Sequence, residues 1–197
     1  MGFLFKFIVN HNVVFHARLD SSQCTATAAN TAHRCRRRVV IGQDLCYSHL
    51  LSIKHLRIKP SNIPNAGKGL FCIDTKQPAN AVIYRKGDRI GEYIGERIDL
   101  DELNDRYGNT TSPYAMKITN NEFIDAATAR GYASLANRAP SANQANAEFP
   151  NCNYRAIPHR IYLVAKKDIK NGDEILTSYG KSYRMNANEK NETVRCR

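Results

Sequence analysis

A chain of 197 residues with 42% apolar side chains can bury a core of its own, and it reads as one main domain with an appendage. Its 29 Lys and Arg against 18 Asp and Glu give a net charge of +11, which suits acidic partners such as nucleic acid or chromatin and equally suits a solvated basic surface. The apolar run Met1 to Val9 is too short to span a bilayer and no small-residue cleavage site follows, so no membrane partner or secretory leader is expected.

Lys6 stands where a myristoylation pattern needs Ser or Thr, so the expected compartment is nuclear or cytoplasmic, where thiols stay reduced. Six cysteines in such a compartment suggest metal before disulfides. Composition shifts near residue 52. Before it lie Cys24, Cys35, Cys46 and His49, spaced C-x10-C-x10-C-x2-H and embedded in small polar residues that cannot form a core. Three thiolates and an imidazole suit a closed tetrahedral zinc site, with His33 as a competing fourth ligand. The cluster His33-Arg34-Cys35-Arg36-Arg37-Arg38 fits either a phosphate-contacting patch or a localisation signal. Disulfides are a further alternative for the cysteines.

From Leu51 onward short β-type segments dominate. Ile53–Lys59, Ala81–Tyr84, Arg89–Ile94, Tyr114–Ile118, Ile161–Ala165 and Ile175–Ser178 are the predicted strands, most of them bounded by Gly, Asn, Pro or Asp. The best predicted helix is Asp99–Tyr107, with Asp99 as cap, Glu102 three residues on as in a capping box, and Gly108 as stop. Asn186–Arg197 is polar and is expected to fray. The expected division is residues 1–50 with the zinc module, 51–183 as the main domain and 184–197 as a tail.

Asn65-Ala66-Gly67-Lys68-Gly69-Leu70-Phe71 places glycine on both sides of a lysine, which in isolation is a tight turn. Three further stretches agree with it in order and spacing: Gly91-Glu92-Tyr93-Ile94-Gly95-Glu96, Tyr114-Ala115-Met116 with Ile124-Asp125-Ala126, and Asp168-Ile169-Lys170-Asn171-Gly172-Asp173-Glu174-Ile175-Leu176-Thr177-Ser178-Tyr179-Gly180. Together they resemble the ordered motifs of SET-domain protein lysine methyltransferases over residues 53–183, about two thirds of the chain. The Cys24 to His49 segment also resembles small zinc modules that precede certain catalytic domains.

The resemblance implies a mainly β SET fold of several small sheets with a threaded, pseudoknot-like crossing, plus the zinc-stabilised module. It implies transfer of a methyl group from S-adenosylmethionine to a lysine side chain of a protein substrate, with a histone tail among the candidates and nucleic acid or chromatin as a further partner of the basic module. Cofactor contacts fall on Ala66, Lys68, Gly69, Leu70, Tyr114, Asn137, Arg138 and Tyr179. Gly69 would admit the cofactor to the backbone, since a Cβ there would obstruct it. Tyr179 matches the family's catalytic tyrosine, and Tyr93 a tyrosine lining the lysine channel. Tyrosine suits that wall because its ring helps desolvate the lysine ammonium while its hydroxyl orients the amine.

The chain departs from the family at its Asn-His-Ser-Cys motif, where Asn137-Arg138-Ala139-Pro140 stands, and in lacking a Cys-x-Cys-x4-Cys tail after Tyr179. Tyr183 or a partner would have to cover that side. The following Pro-Asn-Cys position is filled either by Asn146-Ala147-Glu148-Phe149 or, after an insertion, by Pro150-Asn151-Cys152-Asn153-Tyr154. Thr177 stands where a larger aromatic residue often tunes the number of methyl groups added. The alternative function is a catalytically inactive SET-like binding module whose basic zinc segment contacts nucleic acid or protein.

Overall fold

A computed structural model describes residues 4–9, 13–18, 21–27, 33–108, 112–149 and 160–178. Tyr154, Tyr179, Tyr183, Cys152, Cys196 and the tail from residue 184 lie outside the described residues. Short strands dominate, as the turn-bounded pattern predicts. β1 (Leu4–Val9) pairs antiparallel with β2 (Val13–Arg18), and β3 (Ser21–Gln23) with β4 (Arg38–Val40). Helix α1 (Tyr47–Lys54) leads into the antiparallel hairpin of β5 (Leu56–Pro60) and β6 (Lys68–Cys72). Then come β7 (Val82–Tyr84), β8 (Arg89–Glu92), β9 (Glu96–Asp99), α2 (Leu100–Tyr107), β10 (Ala115–Lys117) and β11 (Glu122–Asp125). A 3-10 turn (Tyr132–Leu135) precedes β12 (Asn137–Arg138), β13 (Ala147–Glu148), β14 (Tyr162–Ala165), β15 (Ile169–Lys170) and β16 (Leu176–Thr177).

These strands form a sheet β10-β11-β9, a sheet β12-β16-β13-β14-β8, and the pairs β15-β7, β5-β6, β3-β4 and β1-β2. The five-stranded sheet contains the threaded crossing. β12 and β13 follow each other in sequence, yet β16 lies between them and runs parallel to both. The loop 139–146 therefore arches over the chain end that passes beneath it. Ala139 N donates to Thr177 O at 2.9 Å and Asn146 N to Leu176 O at 2.9 Å. The Asn146 side chain, 7% exposed, completes the join by accepting from Leu176 N at 2.8 Å and donating to Glu174 O at 2.8 Å. Thr177, fully buried, sits between Arg138 and Ala147.

The predicted strand Ile53–Lys59 is divided. Ile53 and Lys54 close α1, His55 turns into the left-handed region at φ 52° and bonds back to Leu50 and Leu51, and only then does β5 begin. A helix of eight residues between two polar stretches has too few periodic positions to show in the sequence. α2 follows its signals: Asp99 Oδ1 accepts from Glu102 N at 2.8 Å, and Gly108 ends the helix at φ 55°. The Glu102 carboxylate engages Arg106 one turn on. Arg106 also reaches Glu96 and the fully buried Asp125, which accepts in addition from Tyr107 Oη at 2.8 Å and Ala127 N at 3.0 Å. A buried carboxylate with three donors is satisfied, and it fastens α2 to the β9–β11 sheet.

Among the described residues the larger of two apolar clusters joins the N-terminal segment to the main domain. Cys24, Val39, Leu45 and Leu50 of the N-terminal segment share it with Leu56, Leu70, Ile90, Leu163, Ile169 and Ile175. Replacing Asn146 with alanine strands two buried backbone groups, so the variant should lose about 2–4 kcal/mol of stability. Asn146→Asp keeps the acceptor for Leu176 N but sets a buried carboxylate oxygen against Glu174 O, so at neutral pH it should lose at least as much; urea denaturation of the three proteins reads the order directly.

Candidate functional site

The stretch from Cys24 to His49 is built largely of small and polar residues, and its structure converges on four donor atoms. The Sγ atoms of Cys24, Cys35 and Cys46 and a ring nitrogen of His49 all lie within 4.8 Å of one another. Cys24 Sγ and Cys46 Sγ stand 3.4 and 3.3 Å from His49 Nδ1. A tetrahedral zinc with ~2.3 Å bonds to sulfur and ~2.0 Å to nitrogen spaces its ligands by about 3.5–3.8 Å, so the donor set fits the ion. His49, rather than His33, joins the three thiols. α1 explains the choice, because Cys46 caps the helix and His49 follows within its first turn.

Cys46 N donates to Cys24 Sγ at 3.2 Å. Burial alone would raise the Cys46 thiol, but hydrogen bonds from the His49 and Ser48 backbone and from the neighbouring thiols outweigh it and lower the group to about 6. Cys72 behaves in the opposite way. It lies in the apolar core, where burial and the charges of Asp173 and Asp74 push its thiol up to about 12, and it takes no part in the cluster. The arginine run is partly spent on building the module. Arg34 donates to the carbonyls of Cys24 and Gln23 at 2.9 and 2.8 Å, and Arg38 to Ser21 O at 2.5 Å.

The Gly-Lys-Gly stretch forms the return of the β5–β6 hairpin. Asn65 (φ 62°) and Gly67 (φ 69°) both adopt left-handed backbone in the turn. At Gly69 the structure supplies a reason internal to the protein. A Cβ there would meet Glu174 Oε1 at 2.3 Å and Asn137 Nδ2 at 3.3 Å. The Glu174 carboxylate, itself buried, accepts from Ser61 Oγ at 2.6 Å and Asn62 N at 2.8 Å and so holds the hairpin turn. Asn137 Nδ2 donates to Lys68 O at 3.0 Å. Lys68, Gly69 and Asn137 are thus brought together, with Ala66 and Leu70 on either side, the lysine and Arg138 exposed and Leu70 fully buried.

Tyr93 and Tyr114 form a second group. The Tyr93 hydroxyl donates to Tyr114 O at 2.8 Å, and its ring, 7% exposed, meets Phe149 edge-on at 5.5 Å within a cluster that includes Ile124, Ala126 and Ile161. Phe149 therefore stands beside Tyr93; the competing stretch Pro150 to Tyr154 lies outside the described residues. Arg130, whose guanidinium lies 3.8 Å over the Tyr114 ring, carries no signal legible in the sequence. Glu174 belonged to a quoted motif, yet its contacts across more than a hundred residues could not be read from one chain. An open, polar cleft of about 430 Å³ borders the hairpin turn, lined by Asn62, Ile63, Asn146, Lys167 and Glu174 among others. None of the expected cofactor residues lines it.

A mainly β chain whose last described strand is threaded between β12 and β13, preceded by a Cys3His cluster, defines a SET fold with a small metal module. The SET domain family model matches residues 79–180, more than half of the chain, and the protein belongs to the SET-domain family of protein lysine methyltransferases. Two solved structures with TM-scores of 0.50 agree on the fold. The Chaetomium thermophilum Polycomb Repressive Complex 2 bound to GSK126 matches with a TM-score of 0.50 and 26% identity, covering 65% of this chain and 16% of that one. A humanized mutant of the same complex matches with a TM-score of 0.50 and 24% identity, covering 66% and 15%. The autoinhibited complex bound to S-adenosylmethionine matches with a TM-score of 0.48 and 25% identity, covering 66% and 16%. The chain therefore spans about a sixth of the length of these relatives. No curated protein matches significantly.

Zinc analysis of the purified protein should find one ion per chain. A strong chelator should remove it with loss of helicity and a lower melting temperature, whereas reductant without chelator should leave both unchanged; the reverse pattern would assign the cysteines to disulfides.

Proposed function

We propose that the protein is an S-adenosylmethionine-dependent protein lysine N-methyltransferase acting on a lysine side chain of a protein substrate, with histone tails the first candidates. The observation that carries this reading is the crossing, which brings Asn137 onto the Gly-Lys-Gly strand and places Phe149 against Tyr93. Ala66, Lys68, Gly69, Leu70, Asn137 and Arg138 would hold the cofactor's nucleoside and carboxylate end, and Tyr114 its side of the methyl group. When bound, the cofactor supplies an already activated methyl group on a sulfonium.

The chain's own residues have three tasks. The first is to favour the neutral substrate amine: a lysine ammonium with a pKa of about 10.4 is no nucleophile, and an apolar channel shifts it toward releasing its proton to solvent before the amine is enclosed. The apolar cluster around Tyr93, Phe149 and Ile161 provides that environment. The second is orientation. A phenol has one proton to give, and Tyr93 gives it to Tyr114 O, so toward any other partner its oxygen accepts and can align an amine N–H. The third is alignment of amine and methyl group, which accounts for much of the rate in such transfers and for which Tyr179 is the assigned partner of Tyr93.

The basic module is assigned to an acidic surface such as nucleic acid. Exposed Arg37 donates to Ser48 Oγ, and next to it Tyr47, 49% exposed, accepts from Arg57 Nε at 3.1 Å, giving an arginine–tyrosine strip suited to phosphate and base stacking. The compartment proposed is nuclear or cytoplasmic. The second reading is a catalytically silent binding module, and it is favoured by one feature: Arg138 and Ala139 replace the family's His and Ser beside Asn137.

Calorimetric titration of S-adenosylmethionine into the zinc-loaded protein separates the two. The enzyme reading expects saturable binding that weakens at least tenfold in Tyr114→Ala, and methylation of histone or array peptides that Tyr179→Phe reduces by about a hundredfold or more. A folded protein that takes up no cofactor at millimolar concentration selects the silent module.

A further inference from the structure

From the positions of Gly42, Arg130 and Tyr114 we infer that the metal module sets the cofactor affinity of the catalytic domain through one side chain, Arg130, which acts as a positioning residue for Tyr114. The inference rests on the assignment of Tyr114 to the cofactor. Its physical basis is a chain of direct contacts. The turn after β4 projects Ile41 and Gly42 from the module onto the loop 126–131. There Arg130 N donates to Ile41 O at 2.7 Å. Gly42 lies so close that a Cβ would meet Arg130 N at 2.7 Å and Arg130 C at 2.9 Å, and its φ of +91° already excludes most side chains. On the other side of the loop Gly131 N donates to Ile94 O at 3.3 Å, and a Cβ on Gly131 would meet Ile94 Cβ at 3.1 Å. The loop is thus gripped between the metal module and the segment that follows Tyr93.

What the grip holds is the arginine. Arg130 Nε donates to Ala126 O at 2.9 Å and Nη2 to Ala127 O at 3.3 Å, so two carbonyls of its own loop fix the guanidinium in orientation. Its face lies 3.8 Å over the centroid of the Tyr114 ring. Tyr114 is tied from behind as well, because its carbonyl accepts from Ala126 N at 3.0 Å and from the Tyr93 hydroxyl at 2.8 Å. The ring has one face committed to the cation, its backbone fixed by the adjoining loop, and its position relative to Tyr93 set by a single hydrogen bond. A shift of the Ile41–Gly42 turn moves Arg130, and with it the cation–π contact that holds the ring. A module folded by zinc is in this way coupled to a residue that contacts none of the metal ligands.

The test measures S-adenosylmethionine binding by calorimetry on the full chain, with zinc content and thermal midpoint recorded for each variant. Wild type binds saturably. Arg130→Met, neutral and of similar length, loses about tenfold in affinity with zinc retained, and Arg130→Lys, which keeps a cation over the ring, loses less than about threefold. Gly42→Ala, which drives a Cβ against the Arg130 backbone while changing neither the arginine side chain nor a metal ligand, weakens binding in the same direction with its zinc still bound. Unchanged affinity in Arg130→Met overturns the inference while leaving the enzyme reading intact. So does an equal loss in Met and Lys, which would remove the cation from the argument. If Arg130→Met does not fold, Gly42→Ala decides alone: zinc-loaded and binding as wild type, it overturns the coupling. A wild type that takes up no cofactor overturns the enzyme reading, and the inference falls with it.

Discussion

The passage of one strand between two others governs this protein. β16 occupies the slot between β12 and β13, and almost every feature of the candidate site is defined relative to it. Asn146 closes the slot from above with hydrogen bonds to Leu176 N and Glu174 O, and Thr177 fills its centre without exposure. Glu174, two residues before the strand, reaches back to Ser61 and Asn62 and fixes the Gly-Lys-Gly turn. The same pass puts Asn137 within hydrogen-bond distance of Lys68 O. Residues more than a hundred positions apart meet because the crossing leaves them nowhere else to go, and the buried polar groups are paired at each step.

The N-terminal segment solves a different problem. Residues 24–49 carry too few apolar side chains to fold by burial, so their order depends on a donor set that an ion can gather. Once gathered, the segment contributes Cys24, Val39, Leu45 and Leu50 to the core of the larger domain. Metal coordination and apolar burial are then two parts of one folding step. The arginines of the run are put to two uses: Arg34 and Arg38 bond carbonyls within the module, while Arg37 lies with Arg57 of β5 on the exposed strip beside Tyr47.

Much of this was legible in the sequence, and the reasons differ by residue. The Cys and His spacing announced a ligand set, though it left His33 and His49 in competition, because the distance between a ligand and a helix that had not been foreseen cannot be read from spacing. α2 was legible because its cap and stop are local chemistry. α1 was not, since eight residues with a buried Leu50 and an exposed Ile53 carry no clear period, and the strand assigned to Ile53–Lys59 absorbed its end. The motifs mark the expected cofactor residues along the chain, but the Glu174 and Asn137 side chains that crowd Gly69 within the fold are not legible in them. Arg130 escaped notice because an arginine followed by glycine in a polar loop looks like any solvated charge. Its meaning lies in Gly42 and Tyr114, neither of which is near it in sequence.

Threading also imposes an order of events in time. β12 and β13 are made before β16, and the slot between them must stay open until Leu176 and Thr177 leave the ribosome. Until the segment from Glu174 is made, the Asn146 side chain lacks its partners Glu174 O and Leu176 N, the carboxylate that steadies the Gly-Lys-Gly turn does not exist, and the apolar faces of Leu70 and Leu163 wait for Ile175. Assembly of the domain is consequently a late, long-range step. A nascent chain halted short of residue 174 carries the expected cofactor segments Ala66 to Leu70, Tyr114 and Asn137 in full, but without the strand that joins them it has no means of becoming a site.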